Sequence, residues 1–201
     1  MKQLKFIAIL ISFSFFIACG SNTEESKKEN DKMEIKSNVI DVNKMNRENL
    51  KALVEKREKA LENGDTPDNA RKYDLMKAYV AYGIRFQSYK YADEYLFKGA
   101  RLCSELGKIT ESIKYFDKLY SNYPDFKDRP LALFMKAFVL ENHAQNLDEA
   151  KVVYEQFLSE YPTHEMADDA KISIANLGKT PEQIIREFEV RDSLEKVKAA
   201  A

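Results

Sequence analysis

A helical hairpin pattern that occurs twice is the feature that most limits the fold of this chain. Residues 131–162 carry two apolar stripes of helical period, separated by a polar turn and closed by Tyr-Pro, and residues 93–124 repeat this pattern. When residues 96–124 are shifted by 38 onto 134–162, six of 29 positions are identical, namely Lys98/Lys136, Leu102/Leu140, Glu111/Glu149, Ser121/Ser159, Tyr123/Tyr161 and Pro124/Pro162. Repeats of this length made of two helices are typical of solenoids, in which each hairpin packs on its neighbours.

Helical signals continue upstream of the two hairpins. An apolar stripe of helical period begins near Asn46, and Asn63-Gly64 favours the end of that helix. Thr66 as the N-cap and Pro67 at the first helical position favour the start of a second helix over about 67–88. The sequence therefore predicts one more helix pair before the repeated hairpins.

Two further helices are predicted after the second Tyr-Pro. Gly178 favours a helix stop, and Thr180, Pro181 and Gln183 have the spacing of a capped helix start. The residues expected on the inner faces of these helices are Met166, Ala170, Ile174 and Leu177, followed by Ile184, Ile185 and Phe188. We expect the last three to close the array and the charged segment 186–201 to form a solvated cap.

The two hairpins resemble tetratricopeptide repeats (TPRs), which place small residues where two helices cross, an aromatic on the second helix and a closing proline. These positions hold Gly99-Ala100, Ser112, Phe116 and Pro124 in one copy, and Ala137, Ala150, Tyr154 and Pro162 in the other. The second copy has one extra residue in its turn, where Asn146 and Glu149 have capping-box spacing. The resemblance implies an all-α fold, a TPR-like α-solenoid of about eight antiparallel helices in three to four helix-turn-helix repeats over residues 45–197.

The N-terminal residues have the features of a bacterial export signal. A short basic region precedes an apolar run over residues 6–18, which is too short for a membrane-spanning helix. The end of this run, Phe16-Ile17-Ala18-Cys19, resembles the bacterial lipobox, in which the cysteine becomes the lipidated first residue of the mature protein. We expect a signal peptide over 1–18 and a lipidated Cys19. The alternative is an incidental cysteine in a protein that is released.

A polar segment separates this cysteine from the helices. Residues 20–44 are mixed in charge and without period, so we expect 19–44 to form a flexible tether that carries the lipid anchor. The large apolar residues of the segment before Asp41 are Met33, Ile35, Val39 and Ile40. Docking of Val39-Ile40 on the first helix of the domain is the alternative for its C-terminal part.

Several classes of function find no support in the sequence. The net charge is −1 and no basic stripe is present, which argues against a nucleic-acid partner. Cys103 has the surroundings of a buried small side chain, and His143 and His164 have no second ligand at helical spacing. Asp168-Asp169 suits a helix start. We therefore predict no enzyme activity, no metal and no cofactor.

The aromatic residues are the candidates for a binding surface. Eight of them fall within 25 residues: Tyr73, Tyr79, Tyr82, Phe86, Tyr89, Tyr91, Tyr95 and Phe97. The resemblance implies that the first helices of stacked hairpins line a concave face, and it places Phe97, Arg101, Phe134 and Phe138 near it. A groove with aromatic and charged residues suits an extended peptide or a partner helix.

The leading functional hypothesis is a lipid-anchored scaffold that binds another envelope protein or a peptide segment of one. The segments YPTHEMADDAK and NLGKTPEQII are similar to small TPR lipoproteins of Gram-negative bacteria, the group around outer-membrane assembly and Tol-Pal-associated proteins. That resemblance implies an outer-membrane lipoprotein, on the periplasmic face rather than the cell surface. One alternative is a surface lipoprotein that binds a small ligand or glycan. Another is a structural spacer with an oligomerisation surface.

Overall fold

The computed structural model describes residues 41–62 and 69–199, and these residues form eight helices and no strand. In chain order the helices are α1 Arg47–Glu62, α2 Asn69–Arg85, α3 Ala92–Glu105, α4 Ile109–Asn122, α5 Arg129–Asn142, α6 Leu147–Glu160, α7 Ala167–Asn176 and α8 Pro181–Ala199. The predicted all-α class is confirmed, and the two repeated segments form the hairpins α3–α4 and α5–α6.

The α2 helix ends at Arg85 and not at residue 88 as the sequence predicts. The Tyr89 amide donates to the Phe86 carbonyl oxygen at 2.9 Å, which closes a turn, and Tyr91 has a left-handed φ of 73°. A left-handed residue cannot continue a right-handed helix, so the chain reverses here into α3. The predicted stop at Asn63-Gly64 and start at Thr66-Pro67 lie outside the described residues.

Small residues lie where the helices of each hairpin cross, as predicted. Ala100 of α3 and Ser112 of α4 are both fully buried, and the Ser112 hydroxyl donates to the Ala100 carbonyl oxygen at 2.8 Å. Ala137 of α5 and Ala150 of α6 are also fully buried. Gly99 lies against α2, because a Cβ at that position would be 2.8 Å from Val80 Cγ2. Backbones can approach this closely only where side chains are this small.

Large aromatic side chains fill the space between the hairpins. The predicted second-helix aromatics, Phe116 and Tyr154, are both fully buried. They belong to two groups of buried residues, one centred on α2–α4 and one on α5–α6. Ile113, Leu131 and Met135 pack against both groups, so the apolar core runs on from one hairpin into the next.

The turn of the second hairpin is longer, as predicted, and this changes how the two copies correspond. The turn spans residues 106–108 in the first hairpin and 143–146 in the second. Ser112 and Ala150 of the second helices correspond at an offset of 38. Ala100 and Ala137 of the first helices correspond at 37.

The identity of Lys98 and Lys136 at an offset of 38 therefore does not mark structurally equivalent positions. The Lys98 ammonium lies 2.9 Å from the Glu58 carboxylate of α1. The Lys136 ammonium instead lies 2.8 Å from the Asp117 carboxylate of α4. Leu102 and Leu140 are likewise not structurally equivalent, because they too lie in the first helices, which correspond at an offset of 37.

The predicted helix boundaries around α6, α7 and α8 are confirmed by their hydrogen bonds. Asn146 Oδ1 accepts from the Glu149 amide at 3.4 Å, and Glu149 Oε2 accepts from Asn146 Nδ2 at 2.8 Å. Thr180 Oγ1 accepts from the Gln183 amide at 3.3 Å, and Gln183 Oε1 accepts from the Thr180 amide at 2.8 Å. Gly178 has a left-handed φ of 75°, which ends the preceding segment.

The α7 helix extends the core, but α8 does not cover it. Ala170 is buried, and Met166, Ile174 and Leu177 pack against the α5–α6 group as predicted. No side chain of α8 is buried, and Ile185 and Phe188 are 58% and 59% exposed.

The expectation that Ile184, Ile185 and Phe188 close the array is therefore wrong. Further apolar residues of α8, Val190, Leu194 and Val197, lie on roughly the opposite side of the helix, at 3.6 residues per turn. The helix consequently lacks the single apolar stripe that packing on α7 requires.

The residues before α1 belong to the packed domain. Val42 is 6% exposed and lies within the α2–α4 group of the core. Arg85, at the end of α2, donates to the carbonyl oxygens of Val42 and Met45, both at 2.8 Å. Val42, which the sequence assigns to the tether, therefore packs against the helices, whereas Asp41, Asn43 and Lys44 are exposed.

Gly83→Ala tests the close approach of α2 and α3, and we predict a loss of about 1–3 kcal/mol in the free energy of unfolding. A Cβ at residue 83 would lie 2.6 Å from Leu96 Cβ and 2.8 Å from the Ala92 carbonyl oxygen. Helix propensity alone predicts a gain of about 1 kcal/mol, so the two effects differ in sign. Urea unfolding followed by circular dichroism measures the difference.

The control is Ala52→Gly, at an exposed position within α1, which measures the propensity difference in this chain. A Gly83→Ala protein more stable than the wild type would contradict the close approach.

Candidate functional site

Phe97 and Phe134, two of the four predicted partner-binding residues, lie in the core. They are 8% and 6% exposed. The rings packed on them are Phe116 and Phe126 for Phe97, and Tyr154 and Phe157 for Phe134, at centroid distances of 5.8, 5.7, 5.5 and 5.6 Å. Each phenylalanine fills the space between two helices of its hairpin. Neither ring offers a partner a face to stack on.

Arg101 and Phe138, the other two predicted residues, are exposed. They correspond at the offset of 37 that relates α3 to α5, so they occupy the same position on consecutive first helices. Phe138 is 38% exposed, with its ring centroid 6.2 Å from that of His143. We name the exposed surface of α3 and α5 that carries Arg101 and Phe138 the first-helix face.

A cleft of about 220 Å³ adjoins Arg101. Its lining comes from three helices and comprises Leu61, Leu75, Tyr79, Lys98, Arg101, Leu102 and Glu105. We name it the α1–α3 cleft. Its lining combines apolar side chains with charged groups, which suits a side chain or a short peptide segment.

Hydrogen bonds fix most of the charged groups in the α1–α3 cleft. Lys98 bridges the carboxylates of Glu58 and Glu94 at 2.9 and 2.8 Å. The Tyr79 hydroxyl donates to Glu58 at 2.5 Å, and burial together with this bond raises the pKa of Tyr79 above its ordinary value. Among the described residues, none forms an ion pair with Arg101, so its guanidinium remains available to a ligand carboxylate.

Lys98 and Glu105 are cleft residues that the sequence analysis did not identify. Together with Arg101 they occupy positions i, i+3 and i+7 of α3, which share one helix face. That spacing is the signal that could have found them.

A second cleft, of about 360 Å³, lies between α2 and α4 and is named the α2–α4 cleft. It is lined by Val42, Asn43, Tyr73, Met76, Lys77, Val80, Ala81, Ile84, Arg85, Cys103, Lys108, Glu111 and Tyr115. The Tyr73 ring lies between two ammonium groups, with Lys77 at 4.7 Å and Lys108 at 5.1 Å from its centroid. The cleft lining is mainly apolar, with three basic residues, Lys77, Arg85 and Lys108, and one acidic residue, Glu111.

The remaining reactive side chains have structural surroundings. Cys103 is 1% exposed, as predicted, and burial raises the pKa of its thiol to about 11, so the reactive thiolate is scarce at neutral pH. His164 Nδ1 accepts from the Met166 amide at 3.1 Å, and Asp168 and Asp169 lie in the first turn of α7. Within residues 41–62 and 69–199, no His, Cys, Asp and Glu side chains group as metal ligands would.

The predicted signal peptide over 1–18 and the lipidated Cys19 lie outside the described residues. So does the tether as far as residue 40. In the part of the chain that the structure describes, no helix combines the length and the apolar character needed to cross a bilayer.

Alanine substitutions at the four predicted partner-binding residues distinguish the buried pair from the exposed pair by their effect on stability. Phe97→Ala and Phe134→Ala are each expected to lower the free energy of unfolding by about 3–5 kcal/mol, because each removes a ring from the core. Arg101→Ala and Phe138→Ala are expected to cost no more than about 1 kcal/mol. Urea unfolding of the four variants measures these values. Equal, small losses for all four would contradict the placement of the two phenylalanines in the core.

A family model described as tetratricopeptide repeat matches residues 94–125 and 131–164. The two matches coincide with α3–α4 and α5–α6, the hairpins that also share buried small residues and second-helix aromatics. No curated protein and no solved structure gives a significant match to the chain. The match and the helix packing together identify the two central hairpins as tetratricopeptide repeats in a TPR-like α-solenoid.

Proposed function

We propose that this protein is a lipid-anchored scaffold that binds a segment of another cell-envelope protein on its first-helix face. Tetratricopeptide repeats in general mediate protein–protein interaction, which supports a role as an interaction scaffold. The site, the anchor and the envelope partner are the finer parts of the proposal.

The observation that carries the site is the shared exposure of Arg101 and Phe138. They hold equivalent positions on two consecutive matched repeats. Phe97 and Phe134, four residues earlier in the same helices, are both buried. A side chain that packing leaves exposed at the same place in adjacent repeats can contact one continuous ligand. Stacked repeats use such surfaces for extended segments or helices.

The chemistry of this face defines the partner segment. Arg101 lacks an acidic partner in the described chain, and a guanidinium binds a carboxylate through two parallel hydrogen bonds. Phe138 supplies an apolar contact of the kind that anchors an interface. The preferred ligand is therefore a segment with an acidic residue for Arg101 and an apolar residue for Phe138.

The envelope location rests on the N-terminal sequence. The apolar run over residues 6–18 ends at Cys19 within a lipobox-like Phe16-Ile17-Ala18-Cys19. Attached acyl chains would hold the domain at the outer membrane, on its periplasmic face, with a role in outer-membrane protein assembly or envelope maintenance. Intact mass spectrometry of the chain from membranes tests this. A chain that begins at Cys19 with acyl mass supports the anchor, and one that retains residues 1–18 or lacks acyl mass contradicts it.

Crosslinking in intact envelopes tests the partner-binding face. We expect Arg101→Glu and Phe138→Ala to reduce recovery of the crosslinked partner several-fold, because each removes one anchor of the segment. Quantitative mass spectrometry of the crosslinked peptides measures the recovery. Val152→Ala is the matched control, since Val152 is 62% exposed on α6 and lies away from the first helices.

Unchanged recovery in both Arg101→Glu and Phe138→Ala would remove the first-helix face from the proposal. An equal loss in the Val152→Ala control would do the same, because the effect would then not be specific to this face. Circular dichroism of each variant establishes that the helices remain folded.

A further inference from the structure

We propose that the α2–α4 cleft binds a small amphiphile with an unbranched aliphatic body and one carboxylate head, the chemistry of a medium-chain fatty acid. The head lies at Lys108 and the body lies along α2. The α2–α4 cleft shares no lining residue with the α1–α3 cleft, and neither Arg101 nor Phe138 of the first-helix face lines it. The inference therefore does not depend on the proposed protein partner.

The apolar part of the cleft is a strip along α2. Met76, Val80 and Ile84 all line the cleft and are spaced by four residues, so they share one face of the helix. At the C-terminal end of α2, the Arg85 guanidinium donates to the Val42 carbonyl oxygen at 2.8 Å, which places the Val42 side of the lining beside that end. An aliphatic chain laid along α2 would contact this strip over its whole length.

The size of the cleft suits an aliphatic body of about ten carbons. Its volume of about 360 Å³ exceeds the ~150 Å³ of an apolar cavity that holds benzene. From Lys77 to Arg85 the α2 wall runs for about 12 Å at 1.5 Å per residue. A chain of about ten carbons, with C–C bonds of about 1.5 Å, spans at most about 14 Å. The lengths of the ligand body and the α2 wall therefore agree.

Lys108 is the group that favours an anionic head. It is half-buried, and its ammonium lies 5.1 Å from the centroid of the Tyr73 ring. Within residues 41–62 and 69–199, no carboxylate forms an ion pair with it. The Lys77 ammonium, 4.7 Å from the same ring centroid, is by contrast paired with Asp74 at 2.8 Å. A half-buried ammonium without a counter-ion can form a charge-assisted hydrogen bond with a ligand carboxylate.

The other charged groups of the cleft agree with a head at Lys108. The Arg85 guanidinium already donates to the carbonyl oxygens of Val42 and Met45, both at 2.8 Å. Glu111 is the acidic residue of the lining, but it is exposed, so water and salt screen its charge. The three basic residues of the lining exceed this one carboxylate, which disfavours a cationic ligand.

The walls of the cleft favour an aliphatic chain over a peptide. The facing walls along α2 and α4 are helices, whose backbone groups are bonded within each helix. A peptide on these walls would place its own N–H and C=O groups against apolar side chains, with few polar groups to bind them. Those of the uncharged lining residues are Asn43, Tyr73 and Tyr115. A hydrocarbon body carries no such groups and loses nothing there.

Photoaffinity labelling of the full chain tests the proposal. The probe is decanoate with a diazirine near its methyl end, and peptide mass spectrometry identifies the labelled residues. We expect label on the cleft-lining residues of α2 and α4. An excess of unlabelled decanoate should reduce this labelling several-fold, whereas decanol, which has the same body without the charge, should not.

Lys108→Glu tests the position of the head. We expect labelling of the cleft to fall several-fold, because a carboxylate at residue 108 repels that of the probe. Residue 108 immediately precedes α4, where a negative charge suits the helix dipole, so the substitution preserves the helix. Lys114→Glu is the matched control, since it makes the same charge change at an exposed position of α4 outside the cleft lining. Circular dichroism establishes that both variants are folded.

Each of four results would overturn the proposal. Equal labelling of Lys108→Glu and Lys114→Glu would remove Lys108 as the group that binds the head. Equal competition by decanol would show that the charge of the head is irrelevant. Label found mainly on the exposed apolar residues of α8, such as Phe188, would mean that the probe adsorbs to open apolar surface. Absence of label from the cleft would mean that the cleft does not bind this class of ligand.

Discussion

The close approach of α3 to its neighbours is the constraint on which the rest of the structure depends. On one side Ser112 donates to the Ala100 carbonyl oxygen, with both residues fully buried. On the other side Gly99 leaves no room for a Cβ beside Val80, and Gly83 of α2 leaves none beside Leu96. Small residues on two faces of α3 therefore allow α2 and α4 to pack closely against it. The same device recurs at Ala137 and Ala150 in the next hairpin.

This approach decides which aromatic residues are available to a ligand. When backbones are this close, the rings beside the contact have to fill the remaining space, and Phe97 and Phe134 do so. About one turn further along each first helix, Arg101 and Phe138 are exposed. The same packing therefore determines which residues of the first helices are buried and which are exposed.

Local signals in the sequence predict much of the fold. The caps at Asn146 and Thr180 and the stop at Gly178 depend on hydrogen bonds within a few residues, so their residue types reveal them. The small residues Ala100 and Ala137 follow from the repeat. Features that depend on contacts between distant segments could not be read in this way.

Three such features illustrate the limit. The burial of Phe97 depends on Phe116 and Phe126, which a pattern within α3 does not include. The place of Val42 and Met45 depends on Arg85, about forty positions along the chain, which donates to both of their carbonyl oxygens. For α8, apolar residues such as Phe188 and Leu194 suggest packing, although their opposite placement on the helix prevents a single buried stripe.

Native-state hydrogen exchange tests the central claim, that α2 to α6 form one interlocked stack which α8 does not cover. The described packing predicts that amides of α2 to α6 exchange slowest and through a common opening, because separating α3 from either neighbour disrupts the whole contact. It predicts fast exchange along α8, where no side chain is buried. Protection of α8 equal to that of α6, or independent opening of α3–α4 and α5–α6, would contradict the account.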